Sequence, residues 1–379
     1  MKAYFDQSDL AEAVNSAMYC VSTRNTIAAV ECILIRCEEG RAILSSFDLE
    51  KGITIVIPAE VEEHGACVLN AQNLNSIIRL MPSGKVSLEV NENFRAKVSS
   101  GKSEFEINSL NPVEFPTIPD LPTGAGFNIK QGDMKSMIAQ TLFAVAQNDA
   151  RATFNGALFK INGKRITTVG CDSYRLAVRE KVCELENKTD SELDIKFIIP
   201  GRTLSELLKL LSDPDEDVNI SINQKQALFR FREKNTIFYT RLIEGEYIDY
   251  ERIIPKNSSI FVDIDRASFE TSLSRASLVS DDSTGKNRSF AKCFFHDNCL
   301  EISSISTSGK VRDEIVTSHD GADIEIGFNC RYLMEALKAS NSTALHLSMS
   351  SPFISMVIEP IEINENDKFL FLVLPIKMK

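Results

Sequence analysis

One helix is written three times in this chain, about 130 residues apart. The first copy, LNAQNLNSIIRLMPSG, begins at Leu69. The second, IPGRTLSELLKLLSD, begins at Ile199, and the third, FNCRYLMEALKAS, at Phe328. Leu74, Ile77, Ile78 and Met81 recur at the i, i+3, i+4, i+7 spacing of a helical stripe. Leu204, Leu207, Leu208 and Leu211 keep that register, as do Leu333, Ala336 and Leu337. The opposite faces correspond as well. Arg79, Lys209 and Lys338 hold one position; Arg202 and Arg331 hold another, where the first copy has Gln72. Three such helices imply three related domains, each with an apolar stripe inward and a partly basic stripe outward. On a lone helix these cations would read as a solvated face. Recurrence in register makes a binding face the competing reading.

Each repeat opens with a further helical segment: SDLAEAVNSAMYCV, GDMKSMIAQTLFAVAQ and DRASFETSLSRASLV. A strand pair follows each. ECILIRCEEGRAILSSFD alternates at Ile33, Ile35 and Cys37 and again at Ala42 and Leu44. GALFKINGKRITTVGCD is expected to turn at Asn162-Gly163 in a type I′ conformation, and AKCFFHDNCLEISSIS at Asp297-Asn298. The pattern predicts an α+β fold, with two helices and about eight antiparallel strands per repeat. Pro- and Gly-rich TIPDLPTGAG (Thr117 to Gly126) and PKNSS (Pro255 to Ser259) read as linkers. The expected domains are therefore 1–126, 127–257 and 258–379.

Composition narrows the function. The net charge of −11 argues against a nucleic-acid partner if taken as a sum, yet a basic face can coexist with an acidic remainder. The three repeated helices each count near +1, so the acidity lies elsewhere. Met1 to Leu10 carries acidic residues where a signal peptide needs an apolar core, and no apolar run is long enough for a bilayer. Neither secretion nor a membrane partner is expected. Nine scattered cysteines without a C-x-x-C pair fit reduced thiols in a cytoplasm. His64, His296, His319 and His346 lack metal-ligand spacing, so no metal or other cofactor is expected. The chain has no dinucleotide or phosphate loop, no nucleophile elbow and no H-E-x-x-H. Asp48 and Asp172 fall at matching places in the first two repeats, but in different domains, and read as turn residues rather than an acid–base pair. These features favour a binding protein over an enzyme.

Several segments together resemble one family. They are GKSEFEINSLNPVEFPTIP (from Gly101), QNDARATFNGALF (from Gln147), GCDSYRLAVRE (from Gly170), FIIPGRTLSELLKLL (from Phe197), RLIEGEYIDYERIIPKN (from Arg241) and the tail FLVLPIKMK. In order and spacing they resemble the beta subunit of bacterial DNA polymerase III, the sliding clamp. The resemblance implies the DNA clamp fold: three similar domains, each of two helices packed on antiparallel sheets. It also implies a head-to-tail homodimer whose six domains form a ring with helices around the hole. Such a ring would encircle duplex DNA without reading its sequence, held by diffuse attraction to phosphates. It would serve as the non-catalytic processivity subunit of the polymerase holoenzyme.

Site residues carry over individually. Arg24, Asn148 and Arg202 match positions near the duplex, and the repeat pattern itself adds Arg79, Lys209, Arg331 and Lys338. The family's apolar pocket receives short peptides from the replicative polymerase, clamp loader and repair proteins. Its positions correspond to Phe154, Cys171, Tyr174, Arg175, Leu176, Ile248, Arg252 and Ile253, with Leu372, Leu374, Pro375 and Ile376 from the tail. Pro375 should end the last strand and leave Ile376 and Met378 beyond the sheet. The implied dimer contact joins an edge strand near Phe105 to Leu278 and Val279. Departures are also visible. Ser173-Tyr174 stands where the family often has Gly-His, and Tyr247-Ile248 where it often has Phe-Pro. The alternative to a replicative clamp is thus a divergent paralogue with altered peptide preference.

Overall fold

The structure, a computed structural model, describes residues 1–22, 26–119, 125–187, 192–280, 290–306 and 309–378. Among these residues each repeat contributes two helices: α1 (Gln7–Ala17) and α2 (Ala71–Leu80), α3 (Gln131–Ala139) and α4 (Gly201–Leu210), α5 (Arg266–Ser280) and α6 (Cys330–Ala339). Each also contributes nine strands, one more than the alternation suggested, and every pairing is antiparallel. Short pieces such as Glu60–Glu63 and Glu186–Asn187 supply the excess.

The repeated helices start and stop where local chemistry dictates. The Asn70 side chain accepts from the Asn73 N–H, and Asn329 accepts from the N–H groups of Arg331 and Tyr332, satisfying donors that open the helix. Arg79, Lys209 and Lys338 each fall in a last turn, where a cation complements the helix dipole. Inward stripes are buried: Leu74, Ile78, Leu204, Leu207, Leu333, Ala336 and Leu337 are at most 1% exposed. Leu208 departs from the expected stripe and is only half-buried, while Met81 and Leu211 are buried just past the helix ends.

Two compact units result. One comprises Met1–Gly132, Leu185–Asp190 and Lys209–Leu242 and is built on a 14-stranded sheet. The other comprises Asp133–Glu184, Ser191–Leu208 and Ile243–Lys379 and holds a nine-stranded and a four-stranded sheet. Each unit contains one join between successive repeats, made in one way. In the first, strand Thr236–Arg241 of the second repeat pairs with Lys51–Pro58 of the first. In the other, Asp367–Val373 of the third repeat pairs with Arg175–Val182 of the second.

The turns leading into these joining strands are also copies. The Asp48 carboxylate accepts from the N–H groups of Glu50 (3.0 Å) and Lys51 (2.7 Å), and Asp172 from those of Tyr174 (2.9 Å) and Arg175 (2.8 Å). Both aspartates therefore close turns. Between them Leu49 and Ser173 are left-handed, at φ 77° and 74°. The hairpin at Asp297-Asn298 has positive φ at both residues, as a type I′ turn needs. The other hairpin departs from expectation. Asn162 pairs with Arg165, so the loop is Gly163-Lys164, and only Gly163 has positive φ, which is the sign pattern of a type II′ turn.

Burial separates the two faces of the third helix energetically. Leu333→Ala should cost about 2–5 kcal/mol of unfolding free energy. Lys338→Ala should stay within about 0.5 kcal/mol. Urea unfolding of the two variants checks this, and equal losses would contradict the assigned faces.

Candidate functional site

Helix α2 presents Arg79, α4 presents Arg202 and Lys209, and α6 presents Arg331 and Lys338, all exposed. Their environments differ. Arg202 donates to the Asn148 side chain at 3.2 Å, which brings together two residues assigned separately from sequence; Asn148 is itself left-handed, at φ 65°. The Lys209 ammonium sits 4.8 Å from the centre of the Tyr19 ring. Arg331 pairs with Glu335 one turn on, at 2.9 Å, and remains 74% exposed. Arg24 lies outside the described residues. Exposed cations on these helices can meet phosphates without discriminating bases.

The candidate pocket is built on one apolar cluster. Phe154, Leu158, Val169, Cys171, Leu176, Val178, Ile198, Tyr247 and Leu372 form its buried part, with Ile248 and Leu374 partly buried against it. Strand pairing brings these distant segments together: Leu176 lies opposite Leu372, and Cys171 opposite Leu176 on the other side. Tyr247 packs on Phe154 with ring centres 6.3 Å apart and donates to the Gly156 carbonyl. The phenol at the Phe-Pro departure is therefore absorbed into the cluster. Burial pushes the Cys171 thiol up, so it stays protonated and acts as a small apolar side chain.

Other assigned residues lie around this cluster rather than in it. Tyr174 is 50% exposed and Ile253 36% exposed, while the Arg252 side chain is 86% exposed and pairs with Asp249. Pro375 and Ile376 are half-buried. Ile376 does leave the nine-stranded sheet, as expected, but it is not free of sheet structure. Its N–H donates to the Gly327 carbonyl at 2.7 Å, bridging to the four-stranded sheet. A side chain at Gly327 would collide with Met378, so glycine lets the tail cross.

Arg175 is only 6% exposed. It forms two bonds to Asp172 and one to Glu335, and its guanidinium lies 4.3 Å from the centre of the Tyr332 ring. A buried guanidinium so fully bonded organises the site rather than greeting a ligand. The residue sequence reading missed is Arg151. Its guanidinium lies 3.7 Å over the Phe154 ring, is held by both Asp149 oxygens at 2.9 Å, and donates to Ser173. Only the Asp-x-Arg spacing hinted at it.

The assigned dimer residues also have positions. Phe105 is 41% exposed on strand Ser103–Leu110. Ser103 to Asn108 pair with Arg95–Ser100, and on the other side the register with Gly65–Asn70 takes in Ser109 and Leu110. Leu278 is 80% exposed on α5, and Val279 is half-buried beside it. Strand Gly309–Val316, one of the two outer strands of the four-stranded sheet, is a second open edge that sequence reading had not singled out.

The Arg151 bonds hold the Asp149 carboxyl down at about 2. A depressed carboxyl supports its turn above the ordinary range, and that support is lost as pH falls through about 2. Arg151→Ala should move the Asp149 midpoint up toward ~3.9. NMR titration of the carboxyl carbon measures it, and an unmoved midpoint would remove Arg151 as the cause.

Residues 1–119 match the DNA polymerase III beta subunit N-terminal domain, residues 128–249 its central domain, and residues 251–377 its C-terminal domain. The chain is 32% identical over 374 residues to the beta sliding clamp of Staphylococcus epidermidis, covering 96% of both chains. Among solved structures it resembles the DNA polymerase sliding clamp of Bacillus subtilis, with a TM-score of 0.91, 28% identity and 100% of both chains covered. It is similarly close to a putative DNA polymerase III beta subunit from Eubacterium rectale, with a TM-score of 0.90, 29% identity and 100% of both chains covered. With three successive clamp domains matched along one antiparallel α+β chain, the protein belongs to the DNA polymerase III beta subunit family, the DNA sliding clamps.

Proposed function

We propose that two copies of this chain close head to tail into a ring around duplex DNA and tether the replicative polymerase to it. The observation that carries this is the helix written three times with outward cations in a chain of net charge −11. A ring that must hold DNA yet slide needs diffuse phosphate attraction inside and acidic repulsion elsewhere. Arg24, Arg79, Asn148, Arg202, Lys209, Arg331 and Lys338 supply the attraction in this reading. Domains of residues 1–126, 127–257 and 258–379 give six per ring. Enclosure rather than affinity provides retention, so the subunit performs no chemistry of its own and works in the cytoplasm beside the polymerase.

Closure uses the open edges. Strand Ser103–Leu110 carries Glu104 and Glu106 beside Phe105, and strand Gly309–Val316 carries Lys310 and Arg312 together with Asp313 and Glu314. The open backbone edges favour pairing between copies, with Lys310 and Arg312 available to Glu104 and Glu106, and a closed dimer leaves neither edge to grow a filament. The apolar cluster around Phe154 and Leu372 takes short peptides from the polymerase, clamp loader and repair proteins. Tyr174, Arg252 and Ile253 form its rim. The full-length match favours this over a divergent paralogue.

Topological retention tests the reading. Protein loaded on nicked circular DNA with its clamp loader should co-elute with the circles and be lost once they are linearised. Equal retention on both would sink the ring. Arg202, Lys209, Arg331 and Lys338 changed together to Glu should lower loading at least tenfold and flatten the salt dependence by about one unit of slope per lost phosphate contact. Light scattering should give twice the 42.2 kDa chain mass at micromolar concentration. A purely monomeric mass would refute closure.

A further inference from the structure

We infer that the Arg331–Glu335–Arg175 chain couples occupancy of the DNA face to the order of the peptide pocket. This inference rests on the clamp reading above and adds a regulation to it. Glu335 on α6 divides its carboxylate. One oxygen accepts from Arg331 Nε at 2.9 Å and the other from Arg175. The two arginines face opposite situations, the Arg331 side chain 74% exposed and that of Arg175 6% exposed. Arg175 carries the connection inward. Its remaining donors hold Asp172, and its guanidinium covers the Tyr332 ring. Tyr332 in turn packs against Tyr174, with ring centres 5.8 Å apart. The Tyr174 carbonyl accepts the Leu374 N–H at 2.9 Å, and Leu374 packs on the apolar cluster. Every link is a direct contact, from an exposed cation on the repeated helix to the tail residue at the pocket.

The competition at Glu335 sets the sign. Both arginines draw on one negative charge. A phosphate that engages Arg331 withdraws it from Glu335 and leaves the carboxylate wholly to Arg175. The Arg175 bond then tightens, and Tyr332, Tyr174 and the Leu374 hydrogen bond are held more firmly. Coupling free energies are reciprocal, so a peptide that orders Tyr174 and Leu374 favours DNA at Arg331 by the same factor. The size is modest. An exposed i,i+4 ion pair is a weak competitor, so the expected effect is about twofold.

The Leu374 amide is the reporter, because its hydrogen bond to Tyr174 ends the chain of contacts. Amide hydrogen exchange on the full chain should slow about twofold at Leu374 when a short blunt duplex is added. Arg331→Ala, which frees Glu335 without DNA, should slow it by the same factor, and the duplex should then add nothing. Lys292→Ala, which removes a cation paired with Glu325 on the four-stranded sheet and outside both the DNA face and the chain of contacts, should leave the response intact. Unchanged Leu374 exchange in Arg331→Ala, while the duplex still protects α6, overturns the coupling and leaves the clamp reading standing. If Arg331→Ala slows exchange but the duplex protects none of α2, α4 and α6, the DNA-face assignment fails and the coupling to DNA fails with it.

Discussion

The antiparallel pairing of one repeat's fourth strand with the last strand of the next underlies everything else in this chain. Thr236–Arg241 lies on Lys51–Pro58, and Asp367–Val373 lies on Arg175–Val182. Each join converts two open sheet edges into a continuous sheet, which satisfies backbone groups that would otherwise face solvent or another molecule. It also fixes register. A slip of one residue would turn Phe369, Phe371 and Val373 out of the core, so the buried faces leave one solution. The pocket cluster follows from that register, because Leu176 and Leu372 meet only if Arg175 stands opposite Val373.

The two joins share a plan but not a function. Each is entered through an aspartate-closed turn with a left-handed residue, Leu49 or Ser173, and a cation at its end, Lys51 or Arg175. At the first join Lys51 donates to the Tyr19 carbonyl, a local contact. At the second, Arg175 reaches Glu335 and Tyr332 of the third repeat's helix. A lysine presents one ammonium, whereas a guanidinium can serve Asp172, Glu335 and an aromatic face together. The substitution of one cation for another gives only the second join a link from helix to pocket. Ser173 itself holds a left-handed conformation that glycine would adopt without strain. The serine accepts the strain, and its hydroxyl meets Arg151.

Much of the fold was legible because its signals are local or periodic. The three helices, their buried stripes and their exposed cations follow from 3.6-residue spacing alone, as Leu333, Ala336 and Leu337 illustrate. Hairpins were legible from alternation, and the Asp297-Asn298 turn from its residue types. The Asn162-Gly163 turn shifted by one residue because the ladder closes at Asn162 and Arg165, and pairing, not composition, decides which residues form the loop. Leu208 is only half-buried although Ile78 and Leu337 hold the same helical position and are fully buried, so what packs against each helix, and not spacing, sets its exposure. For the candidate site, sequence reading named several residues that the fold clusters around Phe154 and Leu372, but not the bonds between them. Arg175 was assigned to the pocket, and the structure adds that it is buried and bonded to Asp172 and Glu335.

The amino-acid sequence by itself determined the repeat, the α+β class, the faces of the helices and the family. Each is encoded in residue types at short spacing, where backbone geometry admits few alternatives. Tertiary structure alone decided that Arg175 becomes an internal tie. It also placed Arg151 over Phe154 and crossed the tail over Gly327. The physical reason is separation along the chain. Arg175 and Glu335 are 160 residues apart, and no local preference of either anticipates a bond that only the strand register creates.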